Sequence, residues 1–180
     1  MTRAECIERI ARVRPRVAVV GDYMLDGWWT GRIERIAREA PVPVVALSEQ
    51  RHVPGGAANT ALTLASLGAH VLAVGSLGLD GAAEELRAHL IRAHVDVARL
   101  ARVPGARTTT KVRVAVDDQL LLRLDRTQQG DWPSTARRAL VAHTREALAG
   151  SDALLICDYG SALLDDTVVA AIAKLSRPPW

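Results

Sequence analysis

Val53-Pro54-Gly55-Gly56-Ala57-Ala58-Asn59 joins an extended segment to a helix of small residues. Gly55 and Gly56, without side chains, let backbone come close to a ligand, and the Asn59 amide can both donate and accept. The helix that follows, over 56–67, brings unpaired N–H groups and the positive end of its dipole to the same corner. Such a corner suits a hydroxyl-rich or anionic small molecule. A purely structural turn is the other reading, and a glycine pair alone does not separate the two.

Outward from this corner, strands and helices alternate. Upstream, an amphipathic helix over 4–13 precedes a short apolar strand over 16–20 that stops at Gly21-Asp22. Downstream come a strand over 70–74, a turn at Gly75-Ser76-Leu77-Gly78 and a helix over 81–93. A helix over 133–149 has proline near its start, an apolar strand over 153–157 ends at Asp158-Tyr159-Gly160, and a last helix covers 165–175. This order predicts an α/β fold with a mainly parallel sheet and helices on both faces.

Two stretches break the rhythm. One is 28–48, with a strand over 44–47 behind Pro41-Val42-Pro43. In the other, 108–116 and 119–125 alternate like strands around Asp117-Asp118 and form a hairpin. Together they predict a small antiparallel lid, segments about 27–50 and 108–125, on a single domain spanning 1–180. Ligands of such sheets bind beyond the carboxyl ends of the strands. Gly21-Asp22…Asp26, Gly75…Asp80 and Asp158-Tyr159-Gly160 stand there, and carboxylates accept from sugar hydroxyls.

Composition narrows the function classes. The chain has 180 residues, 49% of them apolar, which is enough for one sizeable core. No apolar run reaches the about 18–20 residues of a membrane span. Met1-Thr2-Arg3-Ala4-Glu5 lacks the apolar stretch of a signal peptide, and Cys6 and Cys157 match no metal or redox spacing. The expectation is a cytoplasmic protein with reduced thiols and no membrane partner. Net charge is +3, and arginines are spread between acids. Arg12, Arg14 and Arg16 form the one tight basic cluster, without interleaved aromatics, so no nucleic-acid partner is expected. His89 and His94 stand at i,i+5, off the i,i+4 spacing of zinc ligands, and read as surface histidines; no metal site is assigned. Gly75-x-x-Gly78-x-x-Gly81 lacks the dinucleotide spacing, and there is no Walker A loop or Gly-x-Ser-x-Gly elbow.

Gly21-Asp22-Tyr23-Met24-Leu25-Asp26, Glu39-Ala40-Pro41-Val42-Pro43-Val44-Val45 and Pro54-Gly55-Gly56-Ala57-Ala58-Asn59 together resemble the ribokinase-like (PfkB) carbohydrate kinases. Ala65-Ser66-Leu67-Gly68-Ala69 and Asp158-Tyr159-Gly160 fit the same series, and the likeness runs from about residue 16 to the C-terminus. The first two stretches are most similar to the branch that phosphorylates D-glycero-D-manno-heptose 7-phosphate. The resemblance implies transfer of the ATP γ-phosphoryl group, with Mg2+, to a sugar hydroxyl. In the heptose branch that is the C1 hydroxyl, on the route to ADP-heptose and lipopolysaccharide core.

It also implies roles. Asp26, Gly55, Gly56 and Asn59 match sugar-contacting positions, with Asp22 beside them and Asp158 as a further candidate. Lys111, Arg113 and Arg123 lie on or beside the lid, where a substrate phosphate would need a cation. Ordinary readings stand beside these. Asp22 can cap the next helix, Asp26 can be a solvated turn carboxylate, and Arg113 and Arg123 can be exposed strand residues. Lysine occurs only at 111 and 174, which favours Lys111 as functional.

Two departures from the family pattern matter. Ser161-Ala162 follow Asp158-Tyr159-Gly160 where related kinases often carry lysine. The family's Asp-x-x-Gly-Ala-Gly-Asp segment, with its general-base aspartate, anion hole and neighbouring nucleotide pocket, is absent from the sequence. No catalytic residue is therefore assigned in this chain; that aspartate is expected beyond residue 180. The chain stops at Arg177-Pro178-Pro179-Trp180, about where a further core strand would begin, which would leave an unpaired sheet edge. The expectation is the N-terminal portion of a sugar kinase, inactive alone; the alternative is an inactive sugar-binding or dimerisation module. Lids in this family often clasp into homodimers. Trp28 and Trp29, neighbours on a strand, would point to opposite faces, one over the sugar and one towards a partner, with core packing as the other option.

Overall fold

The computed structural model describes residues 2–128 and 130–175. In chain order its elements are α1 (Arg3–Val13), β1 (Arg16–Gly21), β2 (Tyr23–Ile36), β3 (Pro43–Gly56), α2 (Ala57–Ser66), β4 (His70–Leu77) and α3 (Gly81–Arg92). Then follow β5 (Asp96–Arg102), β6 (Thr109–Val116), β7 (Gln119–Arg126), α4 (Ser134–Leu148), β8 (Ala153–Cys157) and α5 (Asp166–Leu175). The sequence's Arg177–Trp180 lies outside the described residues.

One sheet has the order β5-β4-β1-β8, with every pair parallel. Alternate residues of a strand face opposite sides, so β1 must be apolar throughout. Val17 and Val19 join Ala73, Leu86 and Leu90 with α2 and α3, while Ala18 and Val20 join Val74, Leu140 and Ile172 with α4 and α5. Helices cover both faces, as the alternation of elements predicts. At the outer strand β8, Leu155 and Ile156 remain exposed.

The second sheet, β3-β2-β6-β7, is the lid. It is mixed rather than purely antiparallel, and it has as many strands as the first sheet. The β2–β3 and β6–β7 pairs are antiparallel, but β2 and β6 pair in parallel. The cause is topological: β1 and β5 run the same way and each feeds a lid strand, so those two strands leave in the same direction. Asp117 (φ 46) and Asp118 (φ 64) make the left-handed two-residue turn that a tight hairpin demands.

Two strands differ from the sequence expectation: β2, expected as an extended lid segment from about 27, begins at Tyr23, and β5 is not expected at all. β2 carries Gly27, Gly31 and several charges, and register shifts near Gly31 and Ile33 interrupt its alternation. β5 reads Asp-Val-Ala-Arg-Leu-Ala-Arg, a helix-favouring composition that edge pairing with β4 overrides. Gly75, taken from sequence as part of a turn, lies within β4. A Cβ there would come 2.6 Å from the Tyr23 ring, so this glycine makes room for packing.

Candidate functional site

Pairing in the lid decides which side chains share a face. Asp26 stands opposite Val53 and Lys111, Trp28 opposite Arg113, Lys111 opposite Asp125 and Arg113 opposite Arg123. With a period of two, Asp26, Trp28, Lys111, Arg113, Arg123 and Asp125 all belong to one face. Arg113 Nη1 donates to Asp26 Oδ1 at 3.1 Å, and its guanidinium sits 5.2 Å from the centroid of the Trp28 ring. Arg123 donates to Asp125 through Nε at 2.8 Å and Nη2 at 2.9 Å. Lys111 makes no ion pair among the described residues.

The glycine corner adjoins this face. Gly55 pairs with Met24 and Gly56 with Tyr23 at the inner end of the β2–β3 ladder. A Cβ at Gly55 would lie 2.1 Å from Asp26 Oδ2, so glycine is what allows the carboxylate to rest against the backbone. Gly56 has φ 56, and a Cβ on it would meet the Asp22 carbonyl oxygen at 2.5 Å. Gly56 caps α2 without any side-chain cap; Ala57 N–H donates to the Asp22 carbonyl oxygen at 3.0 Å. Asn59 occupies the first turn of α2 with its side chain exposed. Asp26 and Asn59 therefore flank the same glycine pair, and a helix start without a side-chain cap lies between them.

Asp22 is placed differently. Only 3% exposed, its carboxylate accepts from Tyr159 N–H at 2.8 Å, from Ser161 N–H at 3.2 Å and from the Ser161 hydroxyl. It binds the loop after β8 rather than the N–H groups of the next helix. Asp158 is exposed and accepts from Gly160 N–H at 2.9 Å, shaping its own turn.

That loop closes a cleft of about 300 Å³ lined by Met24, Thr109, Lys111, Asp125, Thr127, Gly130 and Tyr159 to Ala162. Thr109, Tyr159 and Ser161 were not singled out from sequence as site residues. Tyr159 stands inside the quoted Asp158-Tyr159-Gly160 motif, which was the signal available. A larger groove of about 630 Å³ between α4 and α5 contains none of the predicted site residues.

On the opposite face of the lid, Trp29 Nε1 donates to His52 Nε2 at 3.4 Å, and His52 Nδ1 lies 3.1 Å from Glu85 on α3. Asp80 ties down the base of β6: its carboxylate accepts from Ala83 N–H and Thr108 N–H, each at 2.9 Å. Burial pushes the Asp80 pKa up, but the Thr108 and Ala83 donors, with Arg126 nearby, outweigh it and hold the carboxyl below the ordinary aspartate value.

An α/β body with a β-sheet lid, enclosing a polar cleft beside a glycine-led helix start, is the general class that these features define. The chain belongs to the pfkB family of carbohydrate kinases, whose sequence profile matches residues 14–177. It is 42% identical over 165 residues to the bifunctional protein HldE of Halorhodospira halophila, covering 91% of this chain and 34% of that protein. With HldE of Aeromonas hydrophila the identity is 44% over 156 residues, 85% of this chain and 32% of the relative. In fold it resembles Arabidopsis thaliana ribokinase complexed with ribose and ATP, with a TM-score of 0.66 at 18% identity over 89% of this chain and 49% of that one. A carbohydrate kinase from Agrobacterium tumefaciens gives 0.66 at 23% identity, over 89% and 50%. The chain spans about a third of the length of these curated relatives.

Proposed function

We propose that this chain is the acceptor-binding N-terminal portion of an ATP-dependent sugar kinase whose acceptor is the C1 hydroxyl of D-glycero-D-manno-heptose 7-phosphate. Family membership supports sugar phosphorylation, and the likeness to HldE supports the heptose branch. The observation that carries the acceptor assignment is the gathering of Asp26, Lys111 and Arg113 on one lid face next to Gly55, Gly56 and Asn59.

Each group has a task. Asp26 and Asn59 take the sugar hydroxyls, while the Gly55-Gly56 backbone allows close approach and the start of α2 offers its N–H groups. Of the three candidate cations, Arg113 and Arg123 are matched by Asp26 and Asp125. Lys111 is the one with charge to spare, so it is assigned the substrate phosphate. Arg113 orients Asp26 and rests on Trp28. Asp22 and Asp158, bonded to backbone N–H groups after β8, are given no contact with the sugar.

ATP supplies the γ-phosphoryl group in this reaction. The sequence lacks an Asp-x-x-Gly-Ala-Gly-Asp segment, so chemistry at the nucleotide is assigned to none of its residues. Phosphoryl transfer depends mostly on positioning and electrostatic stabilisation. The 180-residue chain is thus proposed to bind acceptor without turning over ATP. In this reading it works in the cytoplasm as one domain and pairs with a second copy through the lid.

ADP release, measured with the purified chain, heptose 7-phosphate, ATP and Mg2+, tests the reading alongside acceptor binding. Binding without ADP release is expected. Sustained ADP release would show that the catalytic machinery is complete here, and absence of acceptor binding would reject the site.

A further inference from the structure

Asp22 is a buried carboxylate that acceptor binding, as described above, does not use, and it sits where three donors converge. Tyr159 N–H and Ser161 N–H both reach Oδ2, and the Ser161 hydroxyl reaches Oδ1. A carboxylate accepts at both oxygens and donates nothing, so it matches this set; an alanine would leave both N–H groups and the hydroxyl without this partner. The loop it grips turns through left-handed backbone at Gly160 (φ 77), which glycine adopts freely, and at Ala162 (φ 61), where a side chain makes it strained.

Other groups hold the same loop from the far side. Trp132 Nε1 donates to the Ser161 carbonyl oxygen at 3.0 Å, and Arg137 Nη2 donates to that of Ala162 at 2.9 Å. A segment fixed so heavily would be costly as a mere connection. It is also where the cleft is walled: Tyr159, 53% exposed, Gly160 and Ser161 face Lys111 and Thr109 across it.

We propose that Asp22 is a positioning residue, whose grip on Tyr159 and Ser161 holds residues 159–162 as a preset wall of the acceptor cleft. The proposal rests on the sugar-kinase reading for the purpose of the wall, and on geometry alone for the grip. Asp22 also touches the other side of the site, since its carbonyl oxygen accepts from Ala57 N–H at the start of α2. One residue at the end of β1 thereby sets the distance between the glycine corner and the wall. Binding should feel its loss more than folding does.

The test uses the whole chain with Asp22→Ala, Ser161→Ala and Ser161→Thr, and heptose 7-phosphate as the probe. Amide exchange at Tyr159 and Ser161 should quicken about tenfold in Asp22→Ala and Ser161→Ala, and affinity for the probe should fall by a similar factor. Amides of β1 and α2 should keep their protection, and Ser161→Thr, which restores a hydroxyl, should recover both readouts. Ser161→Ala deletes only one oxygen, so it decides the matter even where Asp22→Ala fails to fold. Wild-type exchange rates in the loop of both variants would overturn the grip. Freed loop amides with unchanged affinity would overturn the wall. A wild-type chain that binds no probe would reject the kinase reading and the wall with it, while the exchange rates still decide the grip.

Discussion

Asp26 and Gly55 illustrate how much of the site depends on the absence of one methyl group. Gly55→Ala would put its Cβ 2.1 Å from the Asp26 carboxylate, which must swing away and release Arg113. Sugar affinity should drop while stability falls by only about 1–3 kcal/mol, the ordinary range for overpacking. Calorimetric titration beside urea denaturation separates the two. Among the cations, Lys111→Ala should weaken sugar-phosphate binding strongly and leave binding of the unphosphorylated sugar nearly unchanged. Arg123→Ala should do little, because an exposed pair such as Arg123–Asp125 contributes about 0.2–1 kcal/mol. Equal losses in the two variants would contradict the assignment of Lys111. Motif spacing put forward Asp26 and Gly55, and the place of Lys111, Arg113 and Arg123 on or beside the suspected lid put forward the cations. What spacing could not show was which cations are already matched, since that depends on β6–β7 register. Nor could it show that Asp22 binds a loop 137 residues further along the chain.

At the scale of elements, Asp80 joins the start of α3 to the base of lid strand β6. Asp80→Ala removes an N-cap and orphans the Thr108 N–H; a loss of about 1–2 kcal/mol is expected in urea denaturation. The folded carboxyl sits below its unfolded value, so its contribution is complete above the unfolded pKa and is lost as pH falls through the depressed folded one. Asp80→Asn should flatten the acid side of a stability–pH profile; an unaltered profile would show that the hinge does not depend on this charge. β1, β4, β8 and helices α1 to α5 were legible because apolar runs and 3.6-residue periods are local properties. β5 was not, because only pairing with β4 makes it a strand, and the start of β2 was not, because bulges, glycines and charges hide its alternation. The parallel β2–β6 contact is likewise a consequence of topology, invisible to any local window.

For the whole molecule, two covered faces and a four-stranded lid leave particular apolar surfaces open. Leu155 and Ile156 are exposed along β8, and Ile33, Ile36, Leu120 and Leu122 are exposed on the lid. The tryptophans divide as neighbours on a strand must: Trp28 is exposed beside Arg113, and Trp29 gives its N–H to His52 on the other face. The proposed pairing through the lid would use Trp28 and its exposed neighbours. Trp28→Ala should lower the mass seen by light scattering, and an unchanged mass would reject lid-mediated association. The account as a whole is tested most directly by a crystal structure of the chain with D-glycero-D-manno-heptose 7-phosphate. Sugar hydroxyls on Asp26 and Asn59, with the phosphate on Lys111, are the predicted result. Sugar seated in the α4–α5 groove, or a cleft that stays empty at saturating ligand, would contradict it.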